Sequence, residues 1–389
     1  MNKSVVIFGS TGSIGSTALK SISENKNYKI ILLSARNDIK KLLKQSIKYK
    51  SKNAIIQDKK NFIKYEKIFK SKGIKLYYGY DNLKFILKKK VSYCINTITG
   101  IDGLYPTLKI IPLTKKILIA NKESIVCAWH LIHKELIKNK TEFIPLDSEH
   151  FSIWKLIRNE DLKKIERVIL TASGGPFLNL PKKKILNIKP KFALNHPNWK
   201  MGKKISTDSA TLMNKVFEVI EAQKIFNISL DKFKILIHPK SYIHAIVKLN
   251  NGLIKMVAHD ANMKIPISNS IYGDKFNHFK SKKINIKLLN SLNLNKVDSR
   301  KYPSVNILKY VPKKKNTLFE TLLVSINDEL VDLFLQNKIN FDDIPLKLKR
   351  IINHKKFLKY RQKKVNNLKQ IEKLNEFVRL KTKSLSVIS

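Results

Sequence analysis

Residues 5–15 carry the segment VVIFGSTGSIG. Four apolar residues, Val5–Phe8, lead directly into Gly9, Gly12 and Gly15. A buried strand that ends in a small-residue turn before a helix is typical of dinucleotide-binding proteins, because the backbone can approach a pyrophosphate at the helix N-terminus. The spacing is GxxGxxG and not GxGxxG, so a glycine-rich turn without a ligand is the alternative.

Outward from this segment, short apolar strands alternate with helical stretches. The predicted strands are 4–9, 29–35, 53–57, 92–97, 116–120 and 142–146, and the predicted helices between them are 39–48, 60–72 and 123–138. Such alternation predicts a mostly parallel sheet covered on both faces. A loop-rich middle is followed by a predicted helix at 209–226 and strands at 234–237 and 243–249, and the chain is helical from residue 317 onward.

The end of the second predicted strand indicates which dinucleotide is bound. Arg36 and Asn37 follow Ala35 there, where an NAD site usually carries an acidic residue for the ribose hydroxyl. Because an Arg accommodates a 2′-phosphate, this position predicts NADPH. The alternative is that Arg36 is an ordinary solvated charge in a loop. Asp38 lies so close to this position that NAD also remains possible.

Two carboxylates, Asp147 and Glu149, follow the last predicted strand. In an extended chain residues i and i+2 point the same way, so we expect the two to converge. Converging carboxylates need a cation or a proton between them, and oxygen ligands suit Mg²⁺ or Mn²⁺. The alternative is that both face solvent.

The predicted helix 209–226 supplies a third carboxylate. Ser209 is its expected N-cap, and Asn214 and Glu218 share one face at i and i+4. Glu218 can complete a metal site, while Asn214 and Lys215 beside serine hydroxyls can bind a phosphate.

Composition excludes several classes of protein. The 389 residues contain 77 Lys and Arg against 29 Asp and Glu, a net charge of +48, but only seven of the cations are Arg. Phosphate-recognising surfaces favour Arg, and Lys, Asn and Ile are abundant throughout, so we expect compositional drift and no specific nucleic-acid partner. Two cysteines exclude a disulfide scaffold and favour the cytoplasm. No apolar run approaches the ~18 residues of a membrane helix, so no membrane partner is expected.

Taken together, six motifs resemble the 1-deoxy-D-xylulose 5-phosphate reductoisomerase family. They are Gly9–Gly15, Ala120–Ser124, Pro145–His150, Ser173–Phe177, His196–Gly202 and Asp208–Glu218. They occur in the family's order and span about residues 1–270; beyond Ser268 only 317–344 aligns. The chain departs from the family at Ala35 and Ala172, where glycine is usual, and at 324–328, which replaces an Asn-rich motif.

The resemblance implies a set of site residues. For NADPH they are Thr11, Gly12, Ser13, Ile14, Ala35, Arg36, Asn37, Asn121, Glu123 and Gly202. For the metal they are Asp147, Glu149 and Glu218. For the substrate they are Lys122, Ser148, Glu149, Ser173, His196, Ser209, Asn214, Lys215 and Glu218, of which Lys122, Glu149 and His196 are the expected catalytic residues. Trp199 lies in the long, Gly- and Pro-rich stretch 173–203, which is typical of an active-site cover, so we expect it to lie over the substrate or the nicotinamide.

The resemblance also implies a fold and a reaction. The expected domains are a Rossmann-like NADPH-binding domain at 1–147, a central α/β catalytic and dimerisation domain at 148–280 with a mobile loop at 173–203, a connector at 281–315 and an α-helical domain at 316–389. The implied reaction is the rearrangement and NADPH-dependent reduction of 1-deoxy-D-xylulose 5-phosphate to 2-C-methyl-D-erythritol 4-phosphate in non-mevalonate isoprenoid biosynthesis, by a homodimer.

Three rival functions remain in view. A catalytically decayed homologue would have lost a metal carboxylate, whereas all three are present. A basic RNA-binding protein would show an aromatic-studded basic face, which is not visible in the sequence. A dehydrogenase without isomerisation would not need the three carboxylates.

Overall fold

A computed structural model describes residues 2–199, 201–273, 283–313 and 316–387. The contacts within these ranges form two compact units. Unit 1 contains residues 2–124, 130–151 and 263–273, and unit 2 contains 125–129, 152–262 and the described residues from 283 onward. None of the helices in these ranges has both the length and the apolar character that crossing a bilayer requires.

The strands and helices are numbered in chain order. The strands are β1 Lys3–Phe8, β2 Tyr28–Ala35, β3 Asn53–Ile56, β4 Lys75–Tyr78, β5 Val91–Asn96, β6 Thr114–Ile119, β7 Glu142–Pro145, β8 Ile165–Ala172, β9 Phe233–Ile237, β10 Ile243–Leu249, β11 Ile254–Ala258 and β12 Asn295–Lys296. The helices are α1 Ser13–Ser23, α2 Ile39–Lys48, α3 Lys59–Ser71, α4 Leu83–Ile86, α5 Leu104–Ile110, α6 Lys122–Asn139, α7 Ser148–Ile157, α8 Pro190–Ala193, α9 Lys203–Thr211, α10 Met213–Phe226, α11 Lys264–Tyr272, α12 Ile286–Asn290, α13 Phe319–Leu335, α14 Asp343–Ile352, α15 Lys355–Leu358 and α16 Leu368–Val387.

Unit 1 is built on a parallel sheet of seven strands in the order β4-β3-β2-β1-β5-β6-β7. The apolar run Val5–Phe8 forms the fully buried part of β1. The strand order reverses between β1 and β5, and ligands of open α/β sheets bind at the carboxyl ends of the strands at such a point. The Rossmann-like architecture expected for the N-terminal part of the chain is confirmed.

Helix α11 returns to unit 1 from a distant part of the sequence. The hydroxyl groups of Tyr28 and Tyr93 donate to the Ile271 carbonyl oxygen, at 3.4 and 3.3 Å. The Tyr272 hydroxyl donates to the Ser21 carbonyl oxygen at 2.8 Å. Helix α11 lies within the sequence range predicted for the central domain, 148–280, and its contacts group it with unit 1.

Unit 2 contains a mixed sheet in the order β11-β10-β8-β9-β12, in which only β8 and β9 are parallel. Its central strand, β8, was not predicted, because Glu166 and Arg167 interrupt the apolar pattern of that segment. Side chains of β8 and β10 pack with Val219, Ala222 and Phe226 of α10 in the core.

The C-terminal part of unit 2 is helical, as expected, and α13 is its central element. From Phe319 to Phe334 nearly every side chain of α13 is buried. An isolated bridge between Thr317 and Lys364 is the one strand-like pairing of this part within the described residues.

Two local predictions are wrong. The helix expected at 209–226 is two helices, because Leu212 adopts a left-handed conformation (φ 59°) between α9 and α10; Ser209 therefore lies in the last turn of α9 and is not an N-cap. The extended chain expected through Asp147 and Glu149 is also wrong. A helix, α7, begins at Ser148, and the Phe151 N–H donates to the Asp147 carbonyl oxygen at 2.8 Å.

Part of the predicted connector, 281–315, has regular structure. It includes α12, a 3₁₀ helix at Pro303–Tyr310 and β12, which pairs with β9. The predicted boundaries at 280/281 and 315/316 involve residues outside the described ranges. Lys200 of the predicted mobile loop also lies outside them. The domain ranges therefore stay a prediction.

Candidate functional site

The turn after β1 requires glycine at two positions. Gly9 has φ +71°, and a Cβ there would lie 2.9 Å from Thr97 Oγ1. A Cβ at Gly15 would overlap the Gly9 carbonyl oxygen, so the helix can approach the turn only with glycine at this position. Gly12 is the N-cap of α1, and Thr11 lies beside it in the turn; Ser13 and Ile14 open the helix. The N–H groups of this first helical turn can therefore bind an anion.

Arg36 lies directly after β2 and is exposed. Its Nη1 is 3.3 Å from Asp102 Oδ2, and the two side chains are 81% and 64% exposed. Asp38, the residue that kept NAD open, caps α2 by accepting from the Lys41 N–H at 3.1 Å. Its carboxylate is thus engaged in the helix cap, which leaves Arg36 as the charged side chain that follows the strand.

Asn121 and Glu123 flank Lys122 where β6 leads into α6. The Asn121 side chain accepts from the Ser124 N–H at 2.6 Å and donates to the Gly100 carbonyl oxygen at 2.7 Å. It therefore caps α6 and also ties it to the loop after β5. Glu123 is buried in the first turn of the helix.

Asp147 is held as an anion within unit 1. Lys122 Nζ donates to Asp147 Oδ2, and His150 Nδ1 is 3.8 Å from the same oxygen. Burial acts to raise the pKa of Asp147, but the Lys122 charge and the His150 side chain outweigh it and hold the pKa well below its usual range. In the next turn, Ser148 Oγ donates to Glu149 Oε2 at 2.6 Å.

In unit 2, His196 is oriented by three hydrogen bonds. Its Nδ1 accepts from the backbone N–H groups of Asn198 and Trp199, at 3.1 and 3.0 Å. The proton of the neutral ring is therefore on Nε2, which donates to Ser173 Oγ at 2.9 Å. Burial, together with the charge of Lys215, lowers the pKa of His196 to about 4. The ring is thus neutral at physiological pH.

Glu218 holds two neighbours on α10. Asn214 Nδ2 donates to Glu218 Oε1 at 2.5 Å, and Lys215 Nζ donates to Glu218 Oε2 at 2.7 Å. Both Lys215 and Glu218 are buried. An amide, an ammonium and a carboxylate therefore form one array at the start of this helix.

The segment after β8 packs closely against α9. A Cβ at Gly175 would lie 2.9 Å from Ala210 Cα and 3.0 Å from the Ser209 carbonyl oxygen. Gly175 N–H in turn donates to Ser173 Oγ at 3.1 Å. Within unit 2, the segment that contains Ser173 therefore lies next to Ser209. Both serines are predicted substrate-binding residues.

Trp199 and Gly202 lie in the predicted mobile loop. The Trp199 ring is 6.2 Å from the His244 ring, which stacks on His259 at 3.8 Å. Gly202 is the N-cap of α9, and a Cβ there would meet no atom within 4 Å. The segment is not entirely loop, since it includes α8 and a 3₁₀ turn at Lys182–Lys184.

Sequence reasoning assigned no role to Asp102, His150 or Asp208. Of their partners, Arg36 and Asp147 were predicted site residues, whereas Asn327 was noted only within 324–328, the segment that departs from the family's Asn-rich motif. Asp208 lies 119 residues from Asn327, but His150 lies only three residues from Asp147. For such residues the sequence offered one signal, which is a charged residue inside or next to a motif. Asp208, the first residue of the motif Asp208–Glu218, is an example.

Comparison with known proteins identifies the family. Three family models match: 1-deoxy-D-xylulose 5-phosphate reductoisomerase over residues 5–129, its C-terminal domain over 143–226, and the DXP reductoisomerase C-terminal domain over 259–381. The 1-deoxy-D-xylulose 5-phosphate reductoisomerase of Pelagibacter ubique is 52% identical over 388 residues, which cover 99% of this chain and 100% of the relative. The chain belongs to the 1-deoxy-D-xylulose 5-phosphate reductoisomerase family.

Solved structures of reductoisomerases agree with this assignment. The Zymomonas mobilis reductoisomerase in complex with NADPH is 28% identical, has a TM-score of 0.89, and both chains are covered completely. A DOX-P reductoisomerase in complex with NADPH, fosmidomycin and magnesium is 30% identical, with a TM-score of 0.90 and 98% of each chain covered. Similarity to the reductoisomerase family therefore extends through residues 259–381, and its expected restriction to 317–344 beyond Ser268 is wrong.

Proposed function

We propose that this chain converts 1-deoxy-D-xylulose 5-phosphate into 2-C-methyl-D-erythritol 4-phosphate for isoprenoid precursor biosynthesis, using NADPH and Mg²⁺ or Mn²⁺. Family membership over nearly the whole chain supports the reaction. Reductoisomerase structures with NADPH, fosmidomycin and magnesium support the cofactors. The rearrangement breaks one C–C bond and forms another without net redox change. The resulting aldehyde then takes a hydride from NADPH and a proton, which yields the alcohol and NADP⁺.

The nucleotide is proposed to bind along the carboxyl ends of β1 and β2. The backbone N–H groups from Thr11 to Ile14 would hold the pyrophosphate, and Arg36 with Ala35 and Asn37 would hold the 2′-phosphate. Asn121, Glu123 and Gly202 are proposed as further contacts. Arg36 would exchange its exposed Asp102 partner for the 2′-phosphate, to which the guanidinium can donate charge-assisted hydrogen bonds.

The metal ligands are proposed to be Asp147, Glu149 and Glu218. Carboxylate oxygens fit a hard divalent ion, and Asp147 is ionised because Lys122 compensates its burial. When bound, such an ion supplies Lewis-acid polarisation of the substrate oxygens. Ser148 would orient Glu149 through the hydrogen bond that it already donates.

The phosphate of the substrate is proposed to lie among Ser173, Ser209, Asn214 and Lys215. Lys215 brings the positive charge, and the other three bring hydrogen-bond donors. Neutral His196 would donate its Nε2 proton to a substrate oxygen while Ser173 turns to the phosphate. Lys122 would hold or move a proton near the reacting carbons, and Trp199 would exclude water from them.

The Asn214–Lys215–Glu218 array is the observation that carries this proposal. In one helical turn a proposed metal ligand, Glu218, accepts hydrogen bonds from Asn214 and Lys215, the two groups that we propose bind phosphate; a simple dehydrogenase does not need this combination. The test is a coupled assay that follows NADPH absorbance with 1-deoxy-D-xylulose 5-phosphate and Mg²⁺. We expect turnover that stops with a chelator and returns with Mg²⁺ or Mn²⁺. A folded protein that leaves NADPH unoxidised under these conditions would contradict the proposal.

We further propose that the enzyme is a cytoplasmic homodimer that associates through unit 2. Support comes from β11, an edge strand of the second sheet on which Ile254 and Met256 are about half exposed. Exposed apolar edge strands are favoured sites of pairing between chains. Cys94 and Cys127 are buried as reduced thiols, which suits a reducing compartment. Sedimentation of Ile254→Lys should show monomers, whereas a monomeric wild type would contradict the dimer.

A further inference from the structure

The bend between α9 and α10 places the proposed phosphate-binding residues. Leu212 has φ 59° and ψ 13°, a left-handed conformation that is unfavourable for residues other than glycine. Ser209 precedes this bend, and Asn214 and Lys215 follow it. Such a conformation persists only where the surrounding structure determines it, so contacts on both sides of Leu212 must hold the bend.

On the α9 side, Asp208 is held by the C-terminal helix α13. Asn327 Nδ2 donates to Asp208 Oδ1 at 2.8 Å, and both residues are buried. Lys204 Nζ lies 3.5 Å from Asp208 Oδ2 and 2.9 Å from Asp328 Oδ1. A buried carboxylate is therefore compensated by one amide and by an ammonium that also contacts α13.

On the α10 side, two contacts complete the arrangement. Lys204 Nζ is 5.4 Å from the centroid of the Phe217 ring, so the same ammonium contacts α9, α10 and α13. At the far end of α10, Lys224 Nζ donates to Glu320 Oε1 at 2.7 Å, and Thr317 Oγ1 donates to Glu320 Oε2 at 3.1 Å. Helix α13 thus holds both α9 and α10.

We propose that Asp208 and Asn327, assisted by Lys204, are positioning residues for the phosphate group of the substrate. This inference rests on the proposed function, in which Ser209, Asn214 and Lys215 bind that phosphate. None of the proposed substrate contacts lies on α13. The helix acts through Asp208, which directly precedes Ser209, and through Lys204, which packs on Phe217 two residues beyond Lys215.

The test uses the full-length enzyme with Asn327→Asp, Asp208→Asn and the reciprocal double variant. Asn327→Asp places two carboxylates together, so α9 must shift away. We expect KM for 1-deoxy-D-xylulose 5-phosphate and the inhibition constant of inorganic phosphate to rise together by roughly tenfold, as for couplings through packed networks. The kcat and KM for NADPH should change less than about threefold. The double variant restores one amide–carboxylate bond and should recover most of the phosphate affinity.

Ser325→Ala is the matched control on the same helix. Ser325 Oγ donates to Asn375 Oδ1 of α16 at 2.9 Å and makes no contact with Asp208 among the hydrogen bonds of the described residues. The Tm of the Ser325→Ala variant should fall, and its affinity for inorganic phosphate should not change. Equal rises in KM for Ser325→Ala and Asn327→Asp, or a double variant no better than the single ones, would overturn the positioning role.

Lys204→Gln provides a second route if Asn327→Asp does not fold. Its side chain is partly exposed, so the variant should fold, and we expect a several-fold weaker phosphate affinity. Unchanged affinity would overturn the proposal. Direct calorimetry of inorganic phosphate, without turnover, separates this inference from the proposed function. A wild type inactive on the sugar phosphate would contradict only the latter.

Discussion

The proposed nucleotide turn of unit 1 and the proposed substrate cluster of unit 2 are built in opposite ways. The turn occupies seven consecutive residues, Gly9–Gly15, and presents backbone N–H groups at one strand end. The substrate cluster gathers Ser173, His196, Ser209 and Lys215 from separate segments, and its groups are side chains. A site that binds its ligand through backbone N–H groups can therefore be encoded by a short motif. A site that binds through side chains depends on packing between segments that are distant in sequence.

The largest effect is expected at Glu218, where one substitution should disable the substrate cluster alone. Glu218→Gln keeps the shape of the side chain but removes the charge that pairs with Lys215 and that we propose binds the metal. We expect turnover to fall by at least ~100-fold, since even indirect losses around a metal typically cost 10–100-fold. NADPH binding, measured by fluorescence quenching, should barely change. Glu166→Gln, at an exposed pair with Lys248, is the control and should stay active. Near-native turnover of Glu218→Gln with Mg²⁺ would disprove the three-carboxylate site.

The complementary substitution should disable the nucleotide turn alone. In Gly15→Ala the new Cβ would overlap the Gly9 carbonyl oxygen, so the turn and α1 must separate. We expect KM for NADPH to rise by about tenfold to 100-fold, because misplacement of about 1 Å has effects of that size. Affinity for inorganic phosphate should not change. Ser23→Ala, at the other end of α1, is the control. An unchanged KM for NADPH would show that backbone geometry is not what binds the nucleotide.

Substitution of Arg36 tests whether a side chain adds selectivity for NADPH to binding by the backbone of the turn. Arg36→Ala should raise KM for NADPH by roughly tenfold, the value of a charge-assisted hydrogen bond of about 1.5 kcal/mol, and should barely affect NADH. Steady-state kinetics with both cofactors measure this ratio. Lys40→Ala removes a neighbouring exposed cation and should change the ratio little. If Arg36→Ala weakened both cofactors equally, Arg36 would not contact the 2′-phosphate.

The lowered pKa of His196 predicts that the stability of the protein depends on pH. Its pKa is lowered from 6.5 to about 4, so the unfolded chain binds the additional proton between these values. The stabilisation from neutral His196 is thus complete above pH 6.5 and is lost as pH falls toward 4. Chemical denaturation should show a smaller loss over this range for His196→Gln than for the wild type. Exposed His133 is the control position; a wild-type slope in His196→Gln would contradict the assignment.

The smallest effect is expected at Asp102, the partner of Arg36. Asp102→Asn frees Arg36 and removes a negative charge near the proposed 2′-phosphate position. We expect KM for NADPH to fall by about twofold at low salt and to match the wild type at high salt, as for exposed ion pairs. Asp81→Asn, at the exposed pair with Lys109, is the control. A salt-independent change would exclude this electrostatic explanation.

The sequence predicted unit 1 well because its signals are local. Every strand of the parallel sheet except β4 was predicted from a short apolar run, and the predicted limits of α2 agree with the structure at both ends. The unpredicted strands, including β4 and β8, are short or interrupted by charged residues. Strand order could not be predicted, since it depends on pairing between segments far apart in the chain.

By itself, the sequence determined the dinucleotide turn, the residue types of the proposed site and the family, because these depend on consecutive residues. The tertiary structure decided the bend at Leu212, the start of α7 at Ser148 and the tautomer of His196. It also paired Asp208 with Asn327 across 119 residues. Helical periodicity continues through a single left-handed residue, and a hydrogen-bond partner from another segment leaves no local pattern. In our proposal, packing against α13 helps to determine where the proposed phosphate-binding side chains lie.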